Sequence, residues 1–145
     1  MKFFLIIVCS FSLVTQTYAH CEGDEHPNIS VSQELKESTF VVAGEVVSRK
    51  ILVDPLIDPT GYEAEIFQIK VHKIIAGKPK TYVKKEYLTI YNYNASSRFP
   101  MEKGNVYLLF VSEGADGYWI NSCGNSAEIK NSQETLKQIT KLTTN

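Results

Sequence analysis

Hydrophobic and polar positions change their period once near the start of the chain and once near its end. Residues 30–39, SVSQELKEST, place Ser30 three positions before Gln33. That is the spacing of a helical capping box, and it predicts a short helix that needs packing to persist. Residues 40–53, FVVAGEVVSRKILV, are rich in β-branched side chains and read as a strand. Gly44 inside it marks a bulge or sharp bend. The run DPLIDPTG at 54–61 is a loop. YEAEIFQIKVHKI at 62–74 then alternates. Glu65, Phe67, Ile69 and Val71 share one face, and Ala64, Ile66, Gln68, Lys70 and His72 share the other. EYLTIYNY at 86–93, NVYLLFVS at 105–112 and GYWINSC at 117–123 predict three further strands, separated by NASSRFPMEKG and the turn EGADG. The period returns to helical at 131–142, where an Asn or Ser cap precedes Leu136, Ile139 and Leu142 on one face.

Five strands, with one short helix before them and another helix after, predict a mainly β protein. The expected architecture is a five-stranded OB-fold-type barrel, because a closed ring leaves few open edges; an open sandwich is the alternative. No repeat, low-complexity tract or Pro/Gly linker divides the chain, so one domain is expected over residues 20–145.

Residues 1–19 have the form of a cleaved secretory signal: Lys2, an apolar run from Phe3 to Val14, and small side chains at Thr17 and Ala19. The mature chain then starts at His20, in the extracellular space or in a bacterial periplasm. His20 is too bulky to precede a lipidated cysteine at Cys21. No later stretch reaches the ~20 apolar residues of a membrane span. The formal net charge is −1 and no long basic block occurs, which argues against a nucleic-acid partner. Asn28 and Asn94 lie in glycosylation sequons, which carry meaning only in a eukaryotic secretory route. Once Cys9 leaves with the signal, Cys21 and Cys123 form an even pair in an exported protein and read as a disulfide. Neither cysteine belongs to a close ligand pair of the kind zinc sites use.

Several stretches together resemble one family. SVSQELKESTFVVAGEVVSRK resembles the opening helix and first strand of netrin-like domains, the group that includes the tissue inhibitors of metalloproteinases. FQIKVHKIIAGKPK, FPMEKGNVYLLFV and YWINSCGNSAEI are similar to later segments of that family, in the same order. The resemblance implies a five-stranded OB barrel. It also implies that the mature N-terminus and the loop after the third strand form a ridge that contacts a partner protein, a metalloproteinase in the best-known cases. Cys123 matches the family's last-strand cysteine, and Cys21 matches the second cysteine of its opening pair. The chain departs from the pattern in two places: the first cysteine is missing, and Ser96 and Ser97 stand where its loop partner is expected. The family's inhibitors present the first cysteine's amine and carbonyl to a catalytic zinc. Here the corresponding terminus is His20, anchored only through its neighbour.

The candidate contact residues are therefore His20, Cys21, Glu22, Ser96 and Ser97. The alternative function is a small-ligand or metal-binding barrel in which the amine and ring of His20 chelate a metal. His20 is a weak metal candidate, since its only histidine partners, His26 and His72, are scattered. Glu22, Asp24 and Glu25 form an acidic run without the spacing of a calcium loop. Tyr87, Tyr91, Tyr93 and Trp119 are assigned to packing ahead of ligand stacking. No catalytic constellation stands out and no cofactor is implied. The expectation is a monomeric, secreted, non-catalytic protein-binding module.

Overall fold

The computed structural model describes residues 29–61, 64–78, 86–93 and 99–144. Its elements run α1 (Val31–Glu37), β1 (Phe40–Leu52), β2 (Ala64–Gly77), β3 (Tyr87–Tyr93), β4 (Val106–Gly114), β5 (Gly117–Ile120), β6 (Ala127–Glu128), a 3-10 turn (Ile129–Asn131) and α2 (Gln133–Thr143). The protein is mainly β with two helices. The sheet order is β1-β2-β3-β5-β4-β6, and a further β1–β4 pairing joins five of the strands into a ring. All the pairings are antiparallel except β3–β5, which meet in parallel through Ile90 and Tyr118.

Closure depends on β1. Residues Phe40 to Glu45 pair with β4 along one edge and with β2 along the other. The β1–β2 register shifts three times, between Val41 and Val42, Ala43 and Gly44, and Val46 and Ser48. Each shift adds local bend and twist. Gly44 lies at one of them. A Cβ there would come within 2.5 Å of Ile69 Cγ2 and 2.9 Å of the Lys70 carbonyl oxygen. The bend expected at Gly44 is present, and a side chain at this position would push the two strands apart.

Alternation along β1 and β4 divides the apolar residues between two cores. Phe40, Val42 and Val46 join Phe67, Ile69, Leu88, Ile90, Tyr107, Leu109, Val111 and Ile120 inside the ring. Val41, Leu108 and Phe110 face the other way and pack with Val31 of α1 and Ile139 of α2. β4 is therefore covered on both faces, which explains its near-continuous apolar sequence. The predicted face of β2 holds too, with Glu65, Phe67 and Ile69 buried in alternation.

The helix ends differ in detail from the sequence reading. Ser30 Oγ accepts the Gln33 N–H at 3.2 Å, as expected of an N-cap. The Gln33 side chain, however, donates to Glu37 Oε1 at 3.0 Å, so it does not close a reciprocal box. Ser132 precedes α2 but makes no capping bond. Its buried hydroxyl donates instead to the Glu128 carbonyl at 2.9 Å, tying the helix start to β6. β5 ends at Ile120, short of the expected 123. Asn121 stops it: its Oδ1 accepts the Cys123 N–H at 3.0 Å, and its carbonyl accepts the Gly124 N–H at 3.2 Å. Such an Asx turn draws the chain out of the ladder.

Ile139 of α2 is fully buried against α1 and β4. Ile139→Ala should cost about 2–5 kcal/mol, read as a lowered denaturation midpoint at unchanged m-value. The same truncation at exposed Leu142 should cost much less. Equal losses at the two positions would show that α2 does not seal the second core.

Candidate functional site

His20, Cys21, Glu22, Ser96 and Ser97 lie outside the described residues. The first described residues after them, Ile29 and Phe99, both border the stretch that follows β5. Cys123 sits in the turn after β5, with Sγ 3.8 Å from Ser122 Oγ, and it is not a free thiol. Two residues on, Asn125 reaches the start of α1: its side-chain amide donates to the Ile29 carbonyl at 2.9 Å and to Glu34 Oε2 at 2.7 Å. The Asn125 backbone N–H donates to the same oxygen at 2.5 Å. Ser126 Oγ accepts the Phe110 N–H at 2.9 Å, which fastens the turn to β4.

The loop after β3 returns through Phe99. Asn92, buried at the end of β3, donates its amide to the Phe99 carbonyl at 3.2 Å and so pins the base of that loop. The Phe99 ring stands edge-on to Tyr107, 6.0 Å between centroids. Phe99, Tyr107, Ser126 and Glu128 line a cavity of about 350 Å³. Ile29, Phe99 and the 121–126 turn are thus coupled through a few hydrogen bonds and one shared cavity.

Glu34 is the unusual group. It is 3 % exposed, and its Oε1 has no hydrogen-bond partner among the described residues, while Asn125 supplies two bonds to Oε2. Gly124 makes room for it, since a Cβ on Gly124 would lie 1.9 Å from Oε1. Burial raises the carboxyl's pKa above its ordinary value. The two Asn125 donors pull it down in part, and the charge of Glu37 raises it further. From sequence alone Glu34 looks like a surface residue of a short helix. The only local hint is the small, polar CGN at 123–125, whose glycine leaves room for a buried neighbour.

Glu65 is buried on the face it shares with Phe67 and Ile69. Arg49, across the β1–β2 ladder, donates its Nε–H to it, so the charge is paired. His72 is exposed, 3.7 Å from the Glu45 carboxylate. Among the described residues no group of three or more His, Cys, Asp and Glu side chains could hold a metal ion. No described helix is long and apolar enough to cross a membrane. No protein-family model matches this chain, and no curated protein sequence matches it either.

A second feature escaped the sequence reading. The connection 54–61 is not a featureless loop. Asp54 Oδ1 accepts the N–H groups of Leu56 (2.9 Å) and Ile57 (3.1 Å), and Asp54 and Asp58 exchange backbone bonds. This turn holds out Leu56 and Ile57, 95 % and 84 % exposed. The signal was there as two aliphatic residues between two Asp-Pro-flanked turns, but nothing in the pattern says that they escape burial.

The raised Glu34 carboxyl predicts a pH dependence. In the unfolded chain the group titrates near 4.5, and in the fold it holds its proton to higher pH. Its contribution to stability is complete below about 4.5 and is lost as pH rises through the folded value. Glu34→Gln keeps the shape and removes the titration, so it should gain stability relative to the parent as pH rises from mildly acidic to neutral. Denaturation midpoints of the two proteins across that window test this. Parallel profiles would show that Glu34 stays ionised in the fold.

Proposed function

We propose that this chain is a secreted netrin-like domain of the OB type, acting without catalysis through contact with a partner protein. Its contact ridge joins His20, Cys21 and Glu22 to the loop carrying Ser96 and Ser97. The observation that carries the reading is the ring itself. A strand order β1-β2-β3-β5-β4, closed by β1–β4 and preceded by a short helix, is compatible with a five-stranded Greek-key barrel. The coupling of Ile29, the 121–126 turn and Phe99 supports a common origin for the two halves of the ridge. Leu56 and Ile57, held out on a hydrogen-bonded turn, add exposed apolar surface of the kind found at protein contacts.

In this reading Cys21 is bridged to Cys123, which fastens the new N-terminus to the turn after β5. Closing so long a loop favours folding by roughly 4–5 kcal/mol in the chain-entropy model. The domain works as a monomer outside the cell or in a periplasm. Intact mass of the exported protein should show a chain starting at His20 that gains two hydrogens on reduction. A mature species with two free thiols would overturn the bridge and the alignment that rests on it.

The protein partner in the closest analogy is a metalloproteinase, but the terminus is altered. With Ser96 and Ser97 in place of a loop cysteine, the amine of His20 has one anchor fewer. Ordering even a few backbone residues costs about 1–2 kcal/mol each, so zinc chelation should weaken by about ten- to a hundredfold or more. Correctly processed protein should inhibit matrix-type metalloproteinases weakly or not at all. It should still capture its partner from the native secretome, and combined substitution of His20, Glu22, Ser96 and Ser97 by Ala should abolish capture while the denaturation midpoint holds. Tight one-to-one binding of copper or zinc, lost in His20→Ala, would favour a metal-binding barrel over this reading.

A further inference from the structure

A small cleft lies on the outer face of β3 and β5. Inside the ring Tyr118 packs edge-on against Phe40, 5.1 Å between centroids, and Ile120 joins the core. Alternation therefore turns Gly117 and Trp119 outward, next to Tyr91 of β3. Trp119 is 44 % exposed and borders the cleft.

The turn between β4 and β5 is shaped around these two rings. Gly117 has φ 125, and a Cβ on it would lie 2.8 Å from two carbons of the Tyr91 ring. Gly114, its cross-strand partner, lies so that an added Cβ would sit 3.4 Å from Trp119 Cδ1 and Nε1. Each ring thus borders one of the two paired glycines, and between them opens a cleft of about 220 Å³ that Asp116 also lines. The cleft is smaller than the roughly 300–1,000 Å³ of pockets for drug-sized ligands, which suits one six-membered ring.

We propose that this cleft binds a neutral sugar ring, stacked on Trp119 and Tyr91 with its hydroxyls donating to the Asp116 carboxylate. A pyranose has an apolar C–H face and a rim of hydroxyl donors, which suits a cleft lined by two aromatic residues and an aspartate. Nucleotides share the flat face but carry phosphate. Among the described residues no lysine or arginine lines the cleft, and Asp116 repels an anion. A proline-rich peptide also stacks on aromatic residues, but it needs successive pockets along an extended groove.

Trp119 is the chain's single tryptophan, so its fluorescence reports on this cleft alone. The experiment titrates the mature, oxidised protein with glucose, galactose, mannose, N-acetylglucosamine, cellobiose, chitobiose and lactose to tens of millimolar. At least one of them should shift the Trp119 emission saturably. Tyr91→Ala and Asp116→Asn should each weaken that sugar by about tenfold or more at unchanged circular dichroism and denaturation midpoint. His20→Ala should leave it unaffected, which keeps this site separate from the ridge. No saturable shift with any of the sugars would overturn the proposal. A shift produced only by a proline-rich peptide or a mononucleotide would overturn it as well, as would sugar binding unaffected by both substitutions.

Discussion

The simultaneous pairing of β1 with β2 and β4 is the constraint on which the rest of the protein depends. A strand hydrogen-bonded along both edges has no freedom to slip, because slippage by one residue would turn every inward side chain outward. Closing the ring requires β1 to bend within a few residues. The register shifts opposite β2 supply the bend, and Gly44 permits the approach of Ile69 and the Lys70 carbonyl. Once β1 is held, Phe40, Val42 and Val46 point into one core and Val41 into another.

That division makes the helices necessary. Leu108 and Phe110 lie on the outer face of β4, and without α1 and α2 they would meet water. Fully burying side chains of this size stabilises the fold by about 1.5–3 kcal/mol each, so two short helices with little intrinsic stability are held by tertiary packing. The same arrangement buries Glu34 on the way. Its carboxyl is retained through two hydrogen bonds from Asn125, at a position where an apolar side chain would satisfy packing alone. The bonds couple the start of α1 to the turn that carries Cys123, a link between the N-terminal segment and the sheet that apolar contact would not orient.

Surface chemistry is distributed around this frame. Ile29 and Phe99 both border the 121–126 turn. The β1–β2 turn exposes Leu56 and Ile57, and the β4–β5 turn carries the cleft between Tyr91 and Trp119. All three lie at turns or at the margins of the sheet, where backbone geometry is set by the ring but side chains are released from packing.

The amino-acid sequence by itself determined the secondary elements and the sidedness of the strands. Alternation at Glu65, Phe67 and Ile69, the β-branched run from Phe40, and the spacing of Leu136 and Ile139 are local patterns, each legible within a dozen residues. The sequence also marked the bend at Gly44 and the cap at Ser30. Only the tertiary structure decided which strands are neighbours, because the β1–β4 and β3–β5 pairings join residues far apart in the chain and leave no periodic trace. It decided that Glu34 is buried, which depends on Asn125 and Gly124 some ninety positions away. It decided that Trp119 is exposed while Tyr118 packs on Phe40, a choice made by one residue of register in a four-residue strand. Periodicity is a property of a segment, whereas burial and pairing belong to the partner that the segment meets.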